Sequence, residues 1–137
     1  MDSRTINEHY AEIGKELIET EDVLVDIANS TATIIYLSSE HKKTASGKIV
    51  KAECEKVSEK YKWGIPCDYT ITVFEPNCEG MTEDQIKILL LHELLHIKIE
   101  FKDDGTESFG INPHDLEDFK LIVDRYGTDW SKVVGDD

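Results

Sequence analysis

The stretch Thr82–Ile97, TEDQIKILLLHELLHI, decides the fold of this chain. Thr82 and Gln85 have the spacing of a capping box, in which each side chain bonds the backbone N–H of the other, so a helix is predicted to begin there. From Ile86 to Ile97 apolar side chains fall on nearly every side, which predicts that the helix is buried. The few polar residues within this apolar run therefore need a physical reason to be there.

Those polar residues are His92, Glu93 and His96, which form the pattern HExxH. The two histidines are four residues apart, so on a helix both imidazoles project from one face and can bind a single zinc ion. Glu93 is placed to act on a water at the metal without binding the metal itself. Burying these groups without partners is costly, and a metal ion removes that cost. The sequence therefore predicts one catalytic Zn²⁺ held by His92 and His96.

The segment after the motif is predicted to form a β-hairpin. Residues 97–102 alternate between apolar and charged side chains, which is typical of a strand. Asp104-Gly105 is a strong signal for a two-residue turn. Such a turn would pair Ile97 with Asn112, and the returning arm would bring the chain back to the end of the metal-binding helix.

A third ligand is predicted just beyond this return, because a catalytic zinc has three protein ligands and an open position. His114 would lie in the first turn of a helix capped by Asn112, with Pro113 at the first helical position. Glu117 and Asp115 are the alternatives, either as the ligand itself or as an acceptor that orients a histidine.

Periodicity and residue type predict the other elements. Apolar residues at helical spacing predict a first helix at residues 6–19. β-branched and aromatic residues predict strands at residues 33–37, 48–54 and 69–74. A last helix is predicted to end at Gly127, with one apolar face formed by Leu116, Phe119, Val123 and Tyr126. No repeat or linker divides the 137 residues, so we expect one domain, with residues 1–28 as a helical segment and 128–137 as a tail.

Composition limits the function classes. The chain has 29 acidic and 15 basic residues, a net charge of −14, which argues against direct binding of nucleic acid. No apolar stretch is long enough for a membrane span, and the first residues lack the features of a secretory signal. We therefore expect a cytoplasmic protein. Cys54, Cys67 and Cys78 have no CxxC spacing and are expected to be reduced thiols, and Trp63 and Trp130 are expected to pack in the interior.

The chain resembles the phage metallopeptidase family, small proteins encoded by phages and prophages. The resemblance covers most of the chain beyond about residue 30. It rests on residues 61–63 (YKW), 71–78 (ITVFEPNC), 89–96 (LLLHELLH), 113–119 (PHDLEDF) and 126–130 (YGTDW). A more distant similarity is to SprT-like and Spartan-type proteases, whose third histidine also opens a helix, and it supports His114 as a ligand. The resemblance implies an α+β fold, a minimal zincin in which a short, mostly antiparallel sheet packs against the HExxH helix with flanking helices.

Three functions fit these features. The first is a zinc metallopeptidase acting on a protein or peptide, with Glu93 as general base. Tyr126 is a candidate donor to the oxyanion, although it also continues the apolar face of its helix and would then pack in the core. The second is a non-catalytic, zinc-stabilised protein-binding module whose site is closed by a fourth protein ligand. The third is a regulator resembling the ImmA/IrrE peptidases, which cut a phage repressor.

Overall fold

The computed structural model of the chain describes residues 3–113, 119–127 and 130–131. Within these residues the helices are α1 (Glu8–Thr20), α2 (Val25–Ala28), α3 (Glu83–Leu94) and α4 (Lys120–Tyr126). The strands are β1 (Arg4–Ile6), β2 (Ile34–Ser39), β3 (Thr44–Ala45), β4 (Lys48–Ile49), β5 (Ala52–Lys56), β6 (Tyr69–Phe74), β7 (Ile97–Phe101) and β8 (Glu107–Ile111). None of the helices in this part of the chain has the length and apolar content of a bilayer-spanning segment.

The main sheet has the strand order β1-β2-β6-β5. Its two central strands, β2 and β6, are parallel, whereas β1 and β5 pair antiparallel with their neighbours. Two further two-stranded ribbons are formed by β3 with β4 and by β7 with β8. The chain is thus a small α+β domain with a mostly antiparallel sheet, as predicted, and β5 forms one edge of that sheet.

The core lies between one face of the sheet and helices α1 and α3. Leu17 of α1 and Leu90 of α3 are buried there with Ile71 of β6. Helix α1 packs tightly on the sheet at Gly14, where a Cβ atom would lie 2.1 Å from the hydroxyl oxygen of Tyr36. A larger residue would therefore require the buried ring of Tyr36 or the helix itself to shift.

The predictions for the first half of the chain are largely confirmed. The first helix lies within two residues of its predicted bounds, and the strand at residues 69–74 is observed as predicted. The strand predicted at residues 48–54 is wrong as a single element, because the chain leaves β4 after Ile49 and enters β5 only at Ala52. Trp130 packs against the core as predicted. Trp63 does not: its side chain is 90% exposed, on a loop that projects from the sheet edge.

The β7–β8 hairpin forms, but with a different register from the one predicted. Ile97 pairs with Ile111 rather than with Asn112. The N–H of Lys102 donates to the carbonyl of Thr106 (2.9 Å), so the turn contains three residues instead of two. Its last residue, Gly105, has a φ of 86°, which glycine adopts readily.

The last helix begins later than predicted. The cap predicted at Asn112 depends on residues 114–118, which lie outside the described residues. The N–H of Asn112 closes the hairpin by donating to the carbonyl of His96 (2.6 Å). Phe119 has an extended backbone and α4 begins at Lys120. Of the predicted apolar face, Phe119 is buried in the core as predicted, Val123 is partly exposed and Tyr126 is exposed, and Leu116 lies outside the described residues. The fully buried residue of α4 is Ile122. The helix ends at Gly127, as predicted.

All three cysteines lie in the described part of the chain, and each is a free thiol, as expected. Cys67 and Cys78 are buried. Burial raises the pKa of Cys78 to about 11 and also raises the pKa of Cys67. Because the thiolate is the reactive form, these two residues act as small apolar side chains of the core.

Candidate metal centre

Helix α3 has a capped N-terminus and carries His92 and Glu93 in its last turn. The hydroxyl of Thr82 accepts the N–H of Gln85 (3.2 Å), and the side chain of Gln85 accepts the N–H of Thr82 (2.9 Å), so the predicted capping box is confirmed. The helix ends at Leu94 rather than at the predicted Ile97. His96 therefore lies on the final turn beyond the helix, where its N–H donates to the carbonyl of Glu93 (3.1 Å).

The two imidazoles remain neighbours despite this early end. The ring centroids of His92 and His96 are 5.3 Å apart. The carboxylate of Glu93 is buried between the helix and the sheet, with 4% of the residue exposed, and its Oε2 lies 4.0 Å from Nε2 of His92. That distance is longer than a hydrogen bond. The three motif residues thus place two imidazole rings beside a buried carboxyl group.

The orientation of His96 is set by the hairpin. Its Nδ1 lies 2.8 Å from the carbonyl oxygen of Asn112. A carbonyl oxygen can only accept, so Nδ1 carries a proton, and in the neutral ring this leaves the lone pair on Nε2, the tautomer that binds a metal through Nε2. The side chain of Asn112 in turn donates to the carbonyls of Leu95 and Ile97, both at 3.3 Å. The sequence pattern indicated a helix cap at Asn112 and gave no signal for this role, although the predicted hairpin did return Asn112 to the end of the motif helix.

Aromatic side chains enclose the imidazoles. The ring of Phe119 lies 5.4 Å from that of His92 and 4.9 Å from that of His96, measured between centroids. Trp130 lies 5.9 Å from His92, and its carbonyl accepts a hydrogen bond from the side chain of Gln85 (3.0 Å). An apolar shell of this kind limits access of water and strengthens electrostatic interactions inside it.

The edge strand β5 packs beside α3. Cys54 of β5 is partly buried and packs against the core. Burial raises the pKa of its thiol, and Glu93 raises it further. The N–H of Phe74 donates to the carbonyl of Lys51 (2.9 Å), and the N–H of Val57 donates to the carbonyl of Asp68 (2.8 Å). These two bonds show which residues of β5 are hydrogen-bonded to β6. Because bonding alternates along an antiparallel strand, the backbone groups of residues 52, 54 and 56 point away from β6, towards the open edge.

Of the other predicted site residues, the structure describes only Tyr126. His114, Glu117 and Asp115 fall in residues 114–118, outside the described residues. Among residues 3–113, 119–127 and 130–131, no three His, Cys, Asp or Glu side chains are grouped so as to hold a metal ion. Tyr126 is exposed and lines a surface pocket with Leu17 and other residues of α1 and α3, so it is not a core residue. The described lining of that pocket includes neither motif histidine, and the role of Tyr126 as oxyanion donor stays a prediction.

Fold and site together define a small α+β domain in which two imidazoles and a buried carboxylate meet at the end of one helix. A family model described as "Putative phage metallopeptidase" matches residues 3–136, and the chain belongs to that family. No curated protein and no solved structure matches the chain. The family match confirms the resemblance to the phage metallopeptidase family, and the family description implies a metal-dependent peptidase.

Proposed function

We propose that the protein is a zinc-dependent peptidase in which Glu93 is the general base. The observation that carries this proposal is the placement of the Glu93 carboxylate, 4.0 Å from Nε2 of His92 and 4% exposed, next to a second imidazole, that of His96, 5.3 Å away from the ring of His92 between centroids. A carboxylate buried beside two neutral imidazoles is costly on its own and is stabilised by a cation.

The donor set fits zinc. His92 and His96 would hold the ion through imidazole nitrogens, and His114 is the proposed third ligand, with Glu117 or Asp115 as alternatives. When bound, zinc supplies a Lewis acid that polarises the scissile carbonyl and lowers the pKa of water. The hydrogen bond from His96 to the carbonyl of Asn112 (2.8 Å) fixes the ring in the ligating tautomer.

The remaining chemistry belongs to the protein side chains. Glu93 accepts a proton from the attacking water and transfers it to the nitrogen of the leaving amine. The rings of Phe119 and Trp130 keep bulk water from the imidazoles, which favours this short transfer because a dry site strengthens the interactions of charged groups.

The substrate is proposed to be a polypeptide in extended conformation. The outward backbone groups of Ala52, Cys54 and Lys56 lie at the edge of the main sheet, since β5 pairs only with β6 among the described strands, with β8 packed nearby. An extended chain can add to such an edge by backbone hydrogen bonds. Because β5 packs beside α3, a chain paired with β5 would pass near the helix that carries the general base.

Replacement of Glu93 by Gln tests the proposal. The variant keeps the shape of the side chain but not its basicity, so we expect about one zinc per chain by mass spectrometry and at least a hundredfold lower rate of cleavage of an unfolded protein such as casein. Glu100→Gln is the matched control, because Glu100 is exposed on β7 and pairs only with the flexible Lys98 among the described residues (3.4 Å). Undiminished cleavage by Glu93→Gln, or spectroscopy showing four protein ligands on the zinc, would contradict the proposal.

A further inference from the structure

We propose that residues 58–66, called here the aromatic loop, bind a large apolar side chain of the polypeptide substrate next to the metal centre. The proposal rests on the peptidase function. The loop presents three large apolar side chains to solvent: Tyr61 is 51% exposed, Trp63 90% and Ile65 41%. Exposed apolar groups clustered in this way are typical of binding sites, and tryptophan and tyrosine contribute most to binding energy in such sites.

The exposure is imposed by a folded loop. The carbonyl of Tyr61 accepts the N–H groups of Gly64 (3.1 Å) and Ile65 (3.0 Å). Nζ of Lys62 donates to Asp68 at the start of β6 (2.7 Å), which ties the loop to the sheet. The backbone that carries Trp63 is therefore organised in advance, and a ligand would not have to order it.

The position of the aromatic loop links it to the active centre. It follows directly after β5, the strand whose outward edge is proposed to pair with the substrate. The ammonium of Lys62 lies 6.0 Å from the centroid of the Phe109 ring. Phe109 belongs to β8, the strand that leads to Asn112 and its hydrogen bond with His96. The loop and the metal centre thus flank the same hairpin, and a chain extending along β5 would reach both.

The net charge of the protein and the area of the aromatic loop favour a substrate segment as its ligand over a second copy of the chain or a membrane. Side chains of this size bury at most roughly 250 Å² each, so three of them fall short of the roughly 800 Å² per partner of a stable dimer. The net charge of −14 opposes binding to anionic lipids. Lys60 lies 5.0 Å from the centroid of the Tyr61 ring, and Lys56 lies at the start of the loop. Lys62 is paired with Glu59 (3.1 Å) and Asp68 (2.7 Å), so the loop has little net charge on an otherwise acidic protein and fits the apolar residue of a substrate segment.

The test uses the full chain carrying Glu93→Gln, so that binding is measured without cleavage. The probe is fluorescein-labelled, reduced and carboxymethylated α-lactalbumin, an unfolded acidic polypeptide, followed by fluorescence anisotropy. We expect Trp63→Ala to raise Kd about tenfold and Trp63→Phe to change it less than threefold. The matched control is Ile49→Ala, because Ile49 is 65% exposed on the separate β3–β4 ribbon, and its Kd should stay within about twofold. All variants should melt within a few degrees of the parent, since the replaced side chains are exposed.

Several outcomes would overturn the proposal. The first is a Kd for Trp63→Ala within twofold of the parent, and the second is a parent that does not bind the probe. The third is that the parent self-associates in sedimentation, or floats with phosphatidylglycerol vesicles, and that Trp63→Ala abolishes this behaviour. The peptidase proposal fails on a different result, namely equal cleavage by the wild-type chain and Glu93→Gln. The two failures are therefore distinguishable.

Discussion

His96 and Asn112 are joined by two reciprocal hydrogen bonds. The N–H of Asn112 donates to the carbonyl of His96 (2.6 Å), and Nδ1 of His96 donates to the carbonyl of Asn112 (2.8 Å). One bond continues the ladder of the hairpin and the other holds the imidazole ring. Since α3 ends at Leu94, the ring orientation of His96 depends on the hairpin more than on the helix that precedes it.

This relationship predicts the effect of Asn112→Ala. The variant loses two side-chain hydrogen bonds to the backbone, so we expect the free energy of unfolding to fall by about 1 kcal/mol. The carbonyl that orients His96 would be held less firmly, and zinc affinity should fall about tenfold. Competition with a chromophoric chelator measures that affinity.

Asn77→Ala is the matched control for this prediction. Its side chain also donates to two backbone carbonyls, those of Lys43 (2.9 Å) and Val50 (2.8 Å), but it has no contact with the histidines among the described residues. It should lose similar stability with unchanged zinc affinity. Equal zinc affinities in the two variants would show that Asn112 has only a structural role.

Two buried tyrosines on the same sheet face provide a second prediction. The hydroxyl of Tyr36 is buried and has no hydrogen-bond partner in the described part of the chain, whereas that of Tyr69 donates to the carbonyl of Gly110 (2.8 Å). Tyr36→Phe removes a buried group that forms no bond, so we expect it to raise the free energy of unfolding by about 1 kcal/mol. Tyr69→Phe should lower it by about 1 kcal/mol. Urea unfolding measures both, and a loss of stability in Tyr36→Phe would contradict the assignment.

Asp68 predicts a dependence of stability on pH. Partial burial alone would raise its pKa, but hydrogen bonds from Lys62 (2.7 Å) and from the backbone N–H of Thr33 (2.9 Å), with the Thr33 hydroxyl, outweigh that effect and lower the pKa below its usual value. A carboxylate whose pKa is lowered on folding contributes stability that is full above the ordinary value and is lost as the pH falls through the folded value.

Asp68→Asn should therefore cost about 2 kcal/mol at pH 7, and the difference from wild type should shrink below about pH 4. Urea unfolding at a series of pH values measures this difference. Asp103→Asn serves as the control, because Asp103 is exposed in the hairpin turn and its replacement should change stability by less than about 0.5 kcal/mol. A cost of Asp68→Asn that stays constant down to pH 3 would refute the explanation.

Strong local signals explain what the sequence predicted correctly. The capping box at Thr82 and the β-branched and aromatic residues of Tyr69–Phe74 are signals that each depend on neighbouring residues alone. The turn of the β7–β8 hairpin was misjudged, because Asp104-Gly105 suits a two-residue turn as well as the last two positions of a three-residue one. The side chain of Asp104 favours the observed turn by accepting the N–H of Thr106 (3.0 Å), a contact that spacing alone does not reveal.

The errors near the site have a tertiary origin. Ile122 rather than Val123 faces the core, because α4 starts late and short helices have an ambiguous apolar phase. Trp63 was assigned to the interior from its apolar character alone, which says nothing about the surface its loop occupies. Phe119 joins the shell around both imidazoles only through the packed fold.

The β7–β8 hairpin also limits which insertions and deletions the chain can accept. Five residue pairs separate the tip from the junction of His96 with Asn112. Extra residues at the tip leave that junction intact, whereas a single residue added to one arm would slide the ladder and turn every later side chain to the opposite face. Homologous chains should therefore vary in length at residues 103–105 and keep both arms equal, because the equal arms determine that Asn112 lies opposite His96.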